Sequence, residues 1–333
     1  MALYGYTIGE DRDQNPSNGK QLDVYRFLIP AAPGGTITPT LVGTVNLAGT
    51  VTTADLEGLG TNPANPATER VGAVNEARVG GSTAIDPAPG AIVVNNVDQP
   101  FAPATTSPTR TPSDLRRFGF DSGADFGRDY SAPGQPIVLY NISGNDDSSG
   151  GVPVGSSLYK ITTANPGVIS LVDGFGAPTT AAQRQGTQPT NSQFADGLAI
   201  DNLNPGRTRA FASDFSTVDG DGAQLYKVDL LTGELSAPIT LRTPSGQALN
   251  LNLDSGLSFT NSGSQRLIGW VETGAVYEIT GYQDELTASG LGLGSATGSN
   301  GAGFATATLL GNVNLPNAVS GVVDYEGFTI VNE

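Results

Sequence analysis

Asp196-Gly197-Leu198-Ala199-Ile200, Arg209-Ala210-Phe211-Ala212, Leu225-Tyr226-Lys227-Val228 and Leu235 to Thr240 follow one another within residues 195–240. Each run has the length of a β-strand and carries apolar, β-branched or aromatic residues. Turn formers such as Asn204-Pro205-Gly206 and Thr232-Gly233 separate them, because glycine and proline supply backbone angles that strands reject. The stretch therefore predicts four consecutive short strands.

The same quartet recurs downstream as Asp254 to Phe259, Arg266 to Trp270, Ala275 to Ile279 and Thr306 to Leu310. Asp196 and Asp254, which open the two quartets, are 58 positions apart. An upstream copy is read through Asp114 to Phe120, Pro136 to Tyr140, Leu158 to Ile161 and Val168 to Leu171. A more degenerate one opens at Asp55-Leu56-Glu57-Gly58-Leu59, 59 positions before Asp114. A lone four-stranded sheet leaves both faces uncovered, and radial stacking of quartets covers them. The expected fold is an all-β propeller of five blades in a single domain over residues 1–333. Six blades follow if two are merged in the irregular stretch 61–112. A β-helix or a pair of β-sandwiches is the alternative architecture.

The chain ends predict how the ring closes. Leu3 to Tyr6, Val24 to Leu28 and Pro39 to Val45 lack an opening strand of their own. Ser320 to Asp324 reads as that strand, with Phe328 to Val331 following it. Closure by strands from both termini in one blade removes exposed sheet edges. Glu69 to Val79 has the spacing of a short helix. Gln99 to Pro112, Asn145 to Gly151, Asp121 to Asp129 and the glycine run Gly290 to Gly303 read as loops.

Composition narrows the chemistry. Sixteen basic against 32 acidic residues give a net charge of -16, which repels nucleic acid and anionic membrane surfaces. No cysteine and no histidine occur, so disulfides, thiolate nucleophiles, imidazole ligands and Ser-His-Asp catalysis are excluded. Carboxylates, hydroxyls, Lys, Arg and Tyr remain. No stretch approaches the roughly 18 apolar residues of a membrane helix, and Met1 to Tyr6 lacks the basic and apolar regions of a leader peptide.

In a propeller the opening strands line the central channel. Asp55, Glu57, Asp196, Asp254 and Asp324 fall at or near such strands, as does Asp114, and converging carboxylates serve either an oxygen-ligated Ca²⁺ or an acid/base pair for glycoside hydrolysis. The plain alternative is that these residues cap turns or bond backbone amides between blades. Asp219 and Asp221 in Asp219-Gly220-Asp221-Gly222 are candidate metal ligands. An EF-hand is ruled out because Leu230 stands where its acidic ligand is needed. Trp270 is the candidate for stacking on a sugar ring, whereas Tyr159, Tyr226 and Tyr277 are expected in the core.

The opening run Ala2-Leu3-Tyr4-Gly5-Tyr6-Thr7-Ile8-Gly9-Glu10, together with the acidic composition and the size, resembles the water-stress protein (Wsp) family of desiccation-tolerant cyanobacteria. The resemblance implies an abundant extracellular protein of the polysaccharide sheath that binds and organises matrix glycan during desiccation. It carries no catalytic motif to transfer. The expected partner is extracellular polysaccharide, without nucleic acid or membrane; no cofactor is required, and Ca²⁺ is the one candidate. A glycoside hydrolase acting on the same glycan is the alternative from another class, and a propeller binding a protein at its loop-rich face is a third.

Overall fold

The computed structural model describes residues 2–11, 21–46, 56–63, 71–75, 81–85, 123–145, 155–163, 169–172, 195–215, 222–236, 238–283, 304–318 and 323–333. The described residues form an all-β fold of twenty strands, with no α-helix among them.

The strands fall into groups that follow the chain. The first holds β1 (Leu3–Asp11), β2 (Gln21–Leu28), the short β3 (Thr36–Ile37) and β4 (Thr40–Asn46). The second holds β5 (Leu56–Thr61), β6 (Val71–Asn75) and β7 (Gly81–Ile85). In the third are β8 (Gly123–Arg128), β9 (Ile137–Asn145), β10 (Gly155–Thr162) and β11 (Ile169–Leu171). The fourth comprises β12 (Gly197–Ile200), β13 (Ala210–Asp214), β14 (Gln224–Lys227) and β15 (Ile239–Arg242). The fifth comprises β16 (Ser255–Phe259), β17 (Leu267–Val271), β18 (Ala275–Thr280) and β19 (Phe304–Val313), and β20 (Phe328–Asn332) ends the chain.

Within each group successive strands pair antiparallel, except that β3 lies outside its group's sheet, so that β2 pairs with β4 and β3 runs parallel to β19. β20 returns to pair with β1, Tyr4 opposite Val331 and Tyr6 opposite Thr329, so strands from the two chain ends share one sheet in the order β20-β1-β2-β4. The fourth and fifth groups are fused through their outer strands, β15 running parallel to β19 with Thr240 opposite Phe304.

The first strands of the groups touch without laddering. β5 packs on β8, β8 on β12, β12 on β16, β16 on β20, and β20 on β5. That contact cycle closes. The strands start side by side: a Cβ added at Gly123 would lie 2.7 Å from the Asp196 carbonyl oxygen, and one at Gly256 would lie 2.5 Å from Phe328 Cβ. Only glycine permits such an approach.

Five hydrophobic clusters hold the cycle together, each shared by two neighbouring groups. Strand pleating explains how one strand serves two clusters. In β12, Leu198 and Ile200 face the third group while Ala199 faces the fifth. In β13, Phe211 turns one way, and Ala210 and Ala212 turn the other. Inner strands are consequently buried on both faces, whereas outer β15 alternates Ile239 and Leu241 inward with Thr240 and Arg242 half-buried.

Several sequence expectations are corrected. The strand that completes the terminal sheet is Phe328–Asn332, and Asp324 precedes it outside any strand. Phe328 and Ile330 enter one cluster and Val331 the next, which is the two-sided burial an inner strand needs. Within Glu69 to Val79, expected as a helix, the described residues Val71–Asn75 form β6 instead, where Val71 and Ala73 face one cluster and Val74 another; the rest of the stretch lies outside the described residues. Asp121 to Asp129, expected as a loop, contains β8, whose Ala124 and Phe126 are core residues. Asp114 to Phe120, Gln99 to Pro112 and Gly290 to Gly303 lie outside the described residues. Tyr159, Tyr226 and Tyr277 are buried as expected.

Candidate functional site

The residues that open the inner strands, and those that end the strands beside them, bring acids to one end of the cycle. Asp254 directly precedes β16, and Glu272 directly follows β17, its backbone N–H donating to the Asp254 carbonyl at 3.3 Å. Glu326 lies two residues before β20. Asp254, Glu272 and Glu326, all half-buried, each offer a carboxylate oxygen within 4.8 Å of the other two.

The fourth group repeats the arrangement with Asp196 before β12 and Asp214 at the end of β13. Asp196 is buried and committed to its neighbour: its Oδ1 accepts the Ser255 hydroxyl at 2.6 Å, and its Oδ2 accepts the Ser255 N–H at 3.1 Å. Burial, reinforced by the charges of Asp254 and Asp214, pushes its carboxyl well above the usual range. Asp196 is therefore a clasp joining β12 to β16.

A second clasp lies in β8. Asp125 is buried and accepts the Phe126 N–H at 2.8 Å and the Ile200 N–H at 2.7 Å, with a further backbone bond from Thr61. One carboxyl thus ties β5, β8 and β12. Burial pushes its pKa to about 8 against the opposing pull of those amides. Sequence reading missed this residue because it was placed in a loop.

The sequence candidates separate accordingly. Asp254 belongs to the close triad, and Asp196 lies near enough to feel its charge. Glu57 is buried near the start of β5, where the β20 backbone approaches: a Cβ at Gly327 would come within 3.5 Å of the Glu57 carbonyl carbon. Asp324 is half-buried and falls outside the triad. Asp55, Asp219 and Asp221 lie outside the described residues. Trp270 is fully buried: Phe27 and Phe328 stack on it at 5.3 and 5.5 Å between centroids, and its Nε1–H donates to the Tyr325 carbonyl at 2.6 Å. Its ring is occupied by the core and is not open to a sugar.

Glu272 and Glu326 were also missed from sequence. A signal for Glu272 existed: it stands 58 positions after Asp214, the same spacing as Asp254 after Asp196, so the acid ending each second strand repeats with the opening aspartate.

Three carboxylates this close repel by a few kcal/mol per pair at an effective dielectric near 20. A divalent ion relieves that repulsion, and oxygens about 2.3–2.6 Å from a Ca²⁺ are at most about 5 Å from one another. The triad has the donor chemistry and spread to contribute three oxygens to such an ion.

No family model matches the chain, and no curated protein does. Among solved structures, the chain is similar to the periplasmic gluconolactonase PpgL of Pseudomonas aeruginosa, with 13% identity, a TM-score of 0.34, and coverage of 87% of this chain and 81% of that one.

Proposed function

We propose that this chain is a five-bladed β-propeller of the water-stress protein kind, secreted into a polysaccharide sheath, where it binds and organises matrix glycan through a calcium ion at its acidic end. The closed cycle of five inner strands and the five shared clusters support the blade count. The observation that carries the binding reading is the convergence of Asp254, Glu272 and Glu326 within 4.8 Å. An ion held by three half-buried carboxylates keeps open positions for outside oxygens, and the hydroxyls or carboxylates of a glycan are ligands of that type. With its remaining positions filled by sugar oxygens, the ion bridges an acidic protein to an acidic or neutral polymer that would otherwise gain little from it.

The packing favours binding over hydrolysis. The buried aspartates Asp196 and Asp125 are engaged in bonds between strands. The triad offers one oxygen from each residue within 4.8 Å of the others, the spread of ligands around a single ion.

The test is co-sedimentation of the purified protein with isolated cyanobacterial sheath polysaccharide, with calcium and with a chelator, alongside a reducing-sugar assay. Calcium-dependent retention that is lost in Asp254→Asn/Glu272→Gln, without sugar release, is expected. Sugar release that vanishes in Asp254→Asn would establish the hydrolase instead. Retention indifferent to calcium would remove the bridging role.

A further inference from the structure

We draw no further inference here: the strongest candidate, the cavity of about 290 Å³ lined by Asp23 and Tyr25 of β2, Leu41 of β4, and Pro316, Val323 and Tyr325 ahead of β20, carries nothing because its buried polar groups are bonded within the protein, the Thr44 hydroxyl donating to the Asp23 carboxylate and the Tyr325 hydroxyl to the Pro316 carbonyl, and nothing in the structure shows what would fill it.

Discussion

Asp196 holds Ser255 at two points across the gap between β12 and β16, taking its hydroxyl at 2.6 Å and its backbone N–H at 3.1 Å. No ladder joins these two strands, so this carboxyl supplies polar connection where the sheet hydrogen bonds stop. Removing it in Asp196→Ala strands a buried donor and should lower unfolding free energy by about 1–3 kcal/mol. Ser255→Ala, which keeps the N–H bond, should cost about 1 kcal/mol. Urea denaturation of both variants checks the order; an Asp196→Ala midpoint equal to wild type would refute the clasp.

Asp125 makes stability depend on pH in an unusual direction. Its folded pKa of about 8 lies above the ordinary value near 4, so the folded chain holds this proton more tightly than the unfolded one. The contribution is complete below about pH 4 and is lost as pH rises to about 8, with a slope of up to ~1.4 kcal/mol per pH unit. Asp125→Asn carries no titrating proton and should flatten the slope by that amount. Chemical denaturation from pH 4 to 9 measures it, and parallel profiles for variant and wild type would contradict the assignment.

Trp270 is the sole tryptophan and is fully buried between Phe27 and Phe328. Its emission should be blue-shifted, resist acrylamide, and ignore added polysaccharide. Trp270→Ala should destabilise by about 3–5 kcal/mol through the cavity it leaves. Ready quenching in the native state, or a spectral change on adding glycan, would place the ring in contact with solvent after all.

Calcium should raise the thermal midpoint if the triad binds it in the folded state only, by the mass-action relation that gives about 2.7 kcal/mol at a hundredfold excess over Kd. Asp254→Asn/Glu272→Gln should abolish that rise and, by relieving repulsion, stabilise the calcium-free protein. Calorimetry with chelator and with calcium reads both effects. An unchanged calcium response in the double variant would exclude these ligands.

Strand β20 is far from β1 in sequence, yet its residues Phe328–Asn332 pair along Leu3–Thr7 of β1, and Arg26 Nη1 bonds Glu333 Oε2 at 2.5 Å beside the bond from the Tyr6 hydroxyl. Deleting residues 328–333 uncovers the β1 edge and two hydrophobic clusters. The truncated chain should aggregate or lose cooperative unfolding, and a peptide of residues 326–333 added in trans should recover part of the structure. A truncated chain with wild-type cooperativity would show that closure is dispensable.

Local pattern determined the strands. Short apolar runs between Gly- and Pro-rich turns at 195–280 needed no long-range information, because alternation and turn chemistry act over a few residues, and the shared 58-residue spacing revealed that the quartets repeat. Absence of histidine and cysteine likewise limited the chemistry before any fold was known. What only tertiary structure decided is which acids meet and in what state. Asp254, Glu272 and Glu326 flank three different strands, and Asp125 reads as a polar loop residue until three inner strands bury it among their amides. Charge, burial and hydrogen bonding at such points depend on neighbours dozens to hundreds of residues away, and a one-dimensional pattern does not carry those distances.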